Sequence, residues 1–228
     1  MSPPEDLRQH APATQRNREP ILEVLRRVLP ASGTVLEVAS GTGEHAVFFA
    51  PRLSPRKWLP SDSNPQMLAS IAAWRTHQPA DNLYPPLALN VCTPVWSVEK
   101  GASPEWLNYG DFETSPLVAI VSINMIHIAP WEACLGLMAG ANRILPSGGI
   151  LYLYGPFKQS GQHTSPSNAA FDESLRASNP DWGVRDLDDV LTVASAQNLT
   201  LVEAYQMPAN NLSVVFQQVR GNPHPQRE

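Results

Sequence analysis

The sequence predicts an α/β fold: a doubly wound, seven-stranded, mostly parallel sheet that closes with a C-terminal antiparallel β-hairpin. Three observations predict it. Short β-rich runs alternate five times with segments whose apolar residues recur at helical spacing. The run LVAIVSIN at 117–124 is apolar almost without a break, as a parallel strand covered on both faces requires. The last two runs, LTLVEAYQMP and LSVVFQQV, are joined only by Ala209, Asn210 and Asn211, too short a link for a parallel crossover.

The elements follow in order. Residues 1–15 read as a flexible N-terminal arm, because Pro3, Pro4 and Pro12 interrupt any period, and 221–228 as a C-terminal tail. Residues 16–220 make a single domain. Pro20 opens a first helix, with Ile21, Leu22, Leu25, Val28 and Leu29 on one face. TVLEV is the first strand, followed by a glycine turn and a helix carrying Ala46, Phe49, Ala50 and Leu53 inward. KWLPSD is the second strand; Asn64 caps the next helix, Pro65 opens it, and Met67, Leu68, Ile71 and Ala72 face inward. LYPPLALNV is a weaker third strand, and 93–116 carries no assignable pattern. After the fourth strand at 117–124, a helix from Pro130 buries Cys134, Leu137, Met138, Ala141 and Leu145. LPSGGILYLYG gives a turn and a fifth strand. Two helices occupy 167–197, the second capped by Asp186 with Leu187, Val190, Leu191 and Ala194 inward, and Ser167 reads as the cap of the first.

Composition narrows the function. The chain has 228 residues, 43% of them apolar and only 16% charged, against roughly 25% charged in an average soluble domain, which argues for a folded globule. Net charge is −5 and basic residues never run longer than pairs, so nucleic acid is disfavoured as a partner. Cys92 and Cys134 are too few for a disulfide scaffold or a cysteine zinc site, and no histidine pair has metal-ligand spacing. The N-terminus lacks the apolar segment of a signal peptide and no run is long enough for a membrane span, so the expected location is cytoplasmic.

In such sheets ligands lie beyond the carboxyl ends of the strands. The first strand leads into Ala39-Ser40-Gly41-Thr42-Gly43, where glycines let a ligand approach the backbone and the next helix offers free N–H groups. Asp62 ends the second strand, nineteen residues past Gly43, and can accept from both hydroxyls of a ribose. GTGEHA also fits the dinucleotide fingerprint, so an NAD-dependent oxidoreductase is one reading. Glu37 argues against it: a carboxylate beside a pyrophosphate is unfavourable, whereas a cationic cofactor suits it. S-adenosylmethionine carries a sulfonium and an ammonium and no phosphate.

The E-x-A-x-G-x-G run, Asp62, LPSGG before the fifth strand and the terminal antiparallel pair together resemble the class I S-adenosylmethionine-dependent methyltransferases, which have a Rossmann-like fold. More narrowly, RNREPILEVL, VLEVASGTGEHA, INMIHIAPWEA, LYGPF, TSPSNAAFDESLR, WGVRDLDDV and MPANNL resemble the methyltransferase-like 26 family of predicted methyltransferases. The broader resemblance implies that Gly41 and Gly43 lie under the methionine moiety, with Glu37, Ser40 and Thr42 as further candidate cofactor contacts. It places Asp62 on the ribose and Asn90 and Val91 at the adenine; Asn124, at the end of the fourth strand, is placed to hold the methionine part of the cofactor or the acceptor, and Met125 is a candidate cofactor contact beside it. Ala39 replaces the usual first glycine, and Asn90 stands where aspartate is frequent.

Methyl transfer is a displacement at carbon that depends chiefly on alignment; a base is needed only where the acceptor loses a proton. His127, after the fourth strand, is the candidate base, and Asn124 a second candidate catalytic residue. Tyr154 and Phe157 flank Gly155-Pro156 at the sheet mouth as candidate substrate contacts, with rings suited to a cationic methyl donor. Arg16 and Asn17 are placed to clamp a carboxylate or phosphate on the substrate. Ser165, Ser167, Asn168 and Asp172 form a polar stretch, and Asn210 and Asn211 read as turn formers. The expected activity is methyl transfer to a small-molecule acceptor without a metal; a non-catalytic S-adenosylmethionine-binding protein is the alternative from another class. The sequence leaves the oligomeric state open.

Overall fold

A computed structural model describes residues 6–107 and 111–219. Residues 1–5 of the expected arm and the whole expected C-terminal tail lie outside them.

Helix α1 spans Pro12–Val28 and so starts well before Pro20. Pro12 takes the first helical position, where its missing N–H costs nothing, and the preceding Ala11 N–H is tied to the Glu44 carboxylate at 2.6 Å. Residues 12–15, expected in the arm, are therefore helix. Pro20 falls inside α1, where it has no N–H to give the Arg16 carbonyl.

The chain then alternates as β1 (Thr34–Val38), α2 (Glu44–Arg52), β2 (Lys57–Asp62), α3 (Pro65–His77), β3 (Leu87–Ala88), α4 (Asp111–Thr114), β4 (Leu117–Ile123), α5 (Trp131–Ile144) and β5 (Ile150–Pro156). A small hairpin of β6 (Lys158–Gln159) and β7 (Gln162–His163) precedes α6 (Pro166–Ser178), α7 (Leu187–Ala196), β8 (Leu199–Met207) and β9 (Asn211–Gln218). The main sheet runs β3-β2-β1-β4-β5-β9-β8. β1 to β5 pair in parallel, and β9 runs against both β5 and β8. This is the expected seven-stranded sheet with one reversed strand.

Alternating side chains fill two layers. Leu36, Val38, Leu59, Ile120 and Leu151 pack beneath α5 and α7, while Val35, Trp58, Val121, Tyr152 and Val215 pack beneath α1, α2 and Trp74 of α3. The expected inner stripe of α5 is fully buried. Asn64 and Asp186 cap α3 and α7 as expected, accepting from Gln66 N–H and Asp188 N–H.

Four local readings need correction. The third strand shrinks to two residues, because Pro85 and Pro86 have no N–H to give a ladder. Residues 93–116 contribute Trp96, Val98 and Leu107 to the core, and Trp96 lies over Gly140 of α5 so closely that no larger residue fits there. In α3 the buried set is Ser70, Ile71 and Trp74: the Ser70 hydroxyl donates to Thr42 O and accepts from Gln9 N–H, both at 2.8 Å, which turns that face toward the glycine loop. Ser165, not Ser167, caps α6 by accepting from Asn168 N–H.

Candidate active site

The carboxyl ends of β1, β2, β4 and β5 meet at one edge of the sheet. Past β1, Ala39 stands at φ 55°, a left-handed conformation that glycine adopts freely and alanine only at a cost of about 1 kcal/mol. Gly43, at φ 91°, opens α2 so close to Ile71 that a Cβ there would lie 2.8 Å from the Ile71 Cα. Beside Gly41, by contrast, a Cβ would meet nothing within 4 Å. The backbone there borders open space.

Asp62 faces that space. Its two carboxylate oxygens each accept one backbone N–H, from Gly41 at 3.0 Å and Asn64 at 2.9 Å, and each keeps a lone pair for a further donor. Ser40 braces the turn instead of facing outward: its hydroxyl donates to Glu37 O and accepts from Ser61 N–H. Thr42 donates to the Glu44 carboxylate. Asn90 is exposed, and its amide oxygen accepts from Cys92 N–H at 3.0 Å, so that oxygen is engaged locally. Val91 and Met125 are buried in the core behind the edge.

Glu37 does not reach the edge. Its side chain enters the layer beneath α1 and α2, where its carboxylate accepts from Trp58 Nε1 at 2.8 Å and is 1% exposed. Burial pushes this carboxyl up to about 7, the Trp58 and Ser40 hydrogen bonds opposing the shift. It is a group of the core, and the electrostatic argument drawn from it against a pyrophosphate loses its geometry.

His127 is likewise displaced from its expected role. It lies in a short 3₁₀ turn after β4, is fully buried, and rests edge-on against Phe157 with ring centroids 5.0 Å apart. Its Nδ1 accepts from Arg185 N–H at 3.4 Å, and Nε2 lies under Gly155 without a partner among the described residues. Burial, with the Arg185 charge, pushes the imidazole down to about 3, so at neutral pH the ring is uncharged, keeps its single proton on Nε2 and takes up no second one. Phe157 is fully buried too and is wall material, not a substrate contact.

The other predicted residues converge. Asn124, at φ 63°, ends β4, and its N–H donates to Tyr154 O at 2.7 Å. Its amide makes no hydrogen bond among the described residues. Arg16, Asn17, Asn124 and Tyr154 line one cavity of about 440 Å³ together with Ala13, Pro156, Ser167, Asn168, Phe171, Pro208, Ala209 and Asn211. Burial raises the Tyr154 pKa, and the nearby Asn17 and Asn211 amides oppose the shift. Asn17 in turn accepts from His45 Nε2 at 2.8 Å, which links the first turn of α2 to the cavity.

Asn168, Asn211 and Phe171 line the cavity in addition to the predicted site residues. Asn168 Nδ2 donates to Thr164 Oγ1 and to Asn210 O, so α6 grips the β8–β9 hairpin and brings it over the cavity. The available signal was the density of asparagines in two segments whose caps and turns did not need them.

Residues 8–218 match the family described as "Protein of unknown function (DUF938)". Among solved structures, the S-adenosylmethionine-dependent methyltransferase SibL in its apo form has a similar fold, at TM-score 0.69 and 17% identity over 91% of this chain and 56% of that one. An O-methyltransferase family 2 protein from Planctomyces limnophilus in complex with apigenin matches at TM-score 0.67 and 20% identity, over 91% and 58%. CalO1, a methyltransferase of calicheamicin biosynthesis in its SAH-bound form, matches at TM-score 0.63 and 14% identity, over 89% and 54%. The chain thus spans little more than half the length of these structures and shares the class I methyltransferase fold with them. No helix among the described residues is long and apolar enough to cross a membrane.

Proposed function

The chain belongs to the DUF938 family, and we propose that it is an S-adenosylmethionine-dependent methyltransferase acting on a small-molecule acceptor. The observation that carries this reading is that β1, β2 and β4 are neighbours in the sheet and end at one edge with two sets of residues. On one side lies the open backbone at Gly41 with the Asp62 carboxylate beside it; on the other lies the cavity that Asn124 lines. The fold shared with SibL and CalO1 supports the cofactor, and the apigenin complex of the Planctomyces protein supports a small acceptor. The finer resemblance to the methyltransferase-like 26 family gains support from the cavity: every residue lining it except Ala13 falls within the blocks that carry that resemblance.

The residues at the edge fit the cofactor. Asp62 would take the ribose hydroxyls on its remaining lone pairs, Gly41 would let the methionine part lie against bare backbone, and the Asn124 amide has both donor and acceptor to offer. When bound, S-adenosylmethionine supplies an electrophilic methyl group on sulfur. The chain's own contribution is placement: the cavity walls fix the acceptor in line, an effect worth up to about 7–11 kcal/mol. Among the described residues no carboxylate or imidazole lines the cavity, and His127 is withdrawn from it, so proton removal has no assigned side chain.

Titration calorimetry tests this. S-adenosylhomocysteine should bind the purified protein and NAD should not. Asp62→Ala should lower that affinity about 10- to 100-fold, since a hydrogen bond to a charged group contributes roughly 1.5–3 kcal/mol. Binding of NAD alone would overturn the proposal.

A further inference from the structure

We infer that the molecule held in the 440 Å³ cavity carries a carboxylate gripped by Arg16, with a flat apolar body set against Tyr154 and Phe171. This rests on the methyltransferase reading above and names its substrate class.

Arg16 stands one turn after Ala13 on the face of α1 that borders the cavity. The small side chain of Ala13 leaves the guanidinium room. Arg16 is exposed, and five other arginines are engaged: Arg8 with Asp6, Arg143 with Glu99, Arg176 with Asp172, Arg56 and Arg185 with backbone carbonyls. Arg16 makes no hydrogen bond or ion pair among the described residues. It is also the only charged residue lining the cavity among them, so the cavity has a net positive charge with no internal counter-ion.

The remaining polar groups are neutral and mostly fixed. Asn17 is held by His45, and Asn168 by Thr164 and Asn210; both are at least nine-tenths buried. They can orient a ligand but cannot balance Arg16. A carboxylate matches one guanidinium in charge and in its planar two-pronged geometry; a doubly charged phosphate would leave charge unmatched. Tyr154, Phe171, Pro156 and Pro208 supply apolar walls for a flat body, and the volume falls in the range usual for small-molecule sites.

The test titrates benzoate, anthranilate and indole-3-acetate, each beside its own carboxamide, and phenyl phosphate, into protein saturated with S-adenosylhomocysteine. At least one acid should bind ten times or more tighter than its carboxamide. Arg16→Gln should weaken that acid at least tenfold, leave the carboxamide unchanged and keep the affinity for S-adenosylhomocysteine; Arg16→Lys should restore part of the loss. Acids and carboxamides binding alike, no acid binding, or a preference that survives Arg16→Gln would each overturn the inference. Phenyl phosphate binding tighter than every acid would replace the carboxylate with a phosphate. Because S-adenosylhomocysteine binding is measured first, its failure is read separately, as failure of the methyltransferase reading itself.

Discussion

Glu37 and Asp62 are carboxylates on neighbouring parallel strands and share one face of the sheet, Glu37 opposite Pro60 and Asp62 two residues further along, so their positions along the strands send them to different fates. Asp62 ends β2 and meets backbone N–H groups at the edge; Glu37 points into the core and finds one indole N–H. Because burial raises the Glu37 carboxyl to about 7, the folded state holds its proton more tightly than the unfolded chain does. Its contribution to stability is complete below about pH 4.5 and is lost as pH rises through 7. Glu37→Gln keeps an acceptor for Trp58 and removes the ionisation. Urea denaturation should show the variant gaining on the natural protein from pH 4.5 to 7.5, by on the order of 2–3 kcal/mol at the upper end; a constant difference across that range would refute the assignment.

The loop after β4 and the end of β5 are built as a matched pair. A Cβ on Gly155 would lie 2.5 Å from His127 Nε2 and 3.2 Å from Asn124 Oδ1, so Gly155→Ala must push apart the elements that form the cavity mouth. It should cost roughly 1–3 kcal/mol of stability, and less in a His127→Ala background, where the ring is gone; a thermodynamic cycle over the four proteins measures the coupling, and additivity would show that the two residues do not meet. This pairing marks the limit of the sequence reading. The strand-helix alternation, the reversed last strand, the caps at Asn64 and Asp186, the glycine turn and the buried stripe of α5 follow from periodicity and local chemistry. The role of His127 did not, because an imidazole after a central strand has one spelling whether it faces a ligand or a phenylalanine. The cavity escaped for a related reason: its walls come from α1, α6 and the β8–β9 hairpin, and only tertiary packing brings Arg16 beside Asn211.

Over the whole molecule, stability has opposing pH limits. Burial lowers both His45 and His127 to about 3, against about 6.5 for a free imidazole. Their contribution is complete above pH 6.5 and falls as pH drops, by about 1.4 kcal/mol per unit for each ring. His127→Leu should therefore reduce the acid-side slope of unfolding free energy by about 1.4 kcal/mol per pH unit between 4.5 and 6, read from denaturation curves; an unaltered slope would mean that this ring is solvated. The two sites also draw on different stretches of chain. Gly41 and Asp62 belong to its first third, whereas the cavity needs Arg16 from near the beginning and Pro208, Ala209 and Asn211 from near the end. During synthesis on the ribosome, the edge at Gly41 and Asp62 can therefore form while the cavity still lacks a wall, and the shape proposed for methyl transfer waits until the β8–β9 hairpin has emerged.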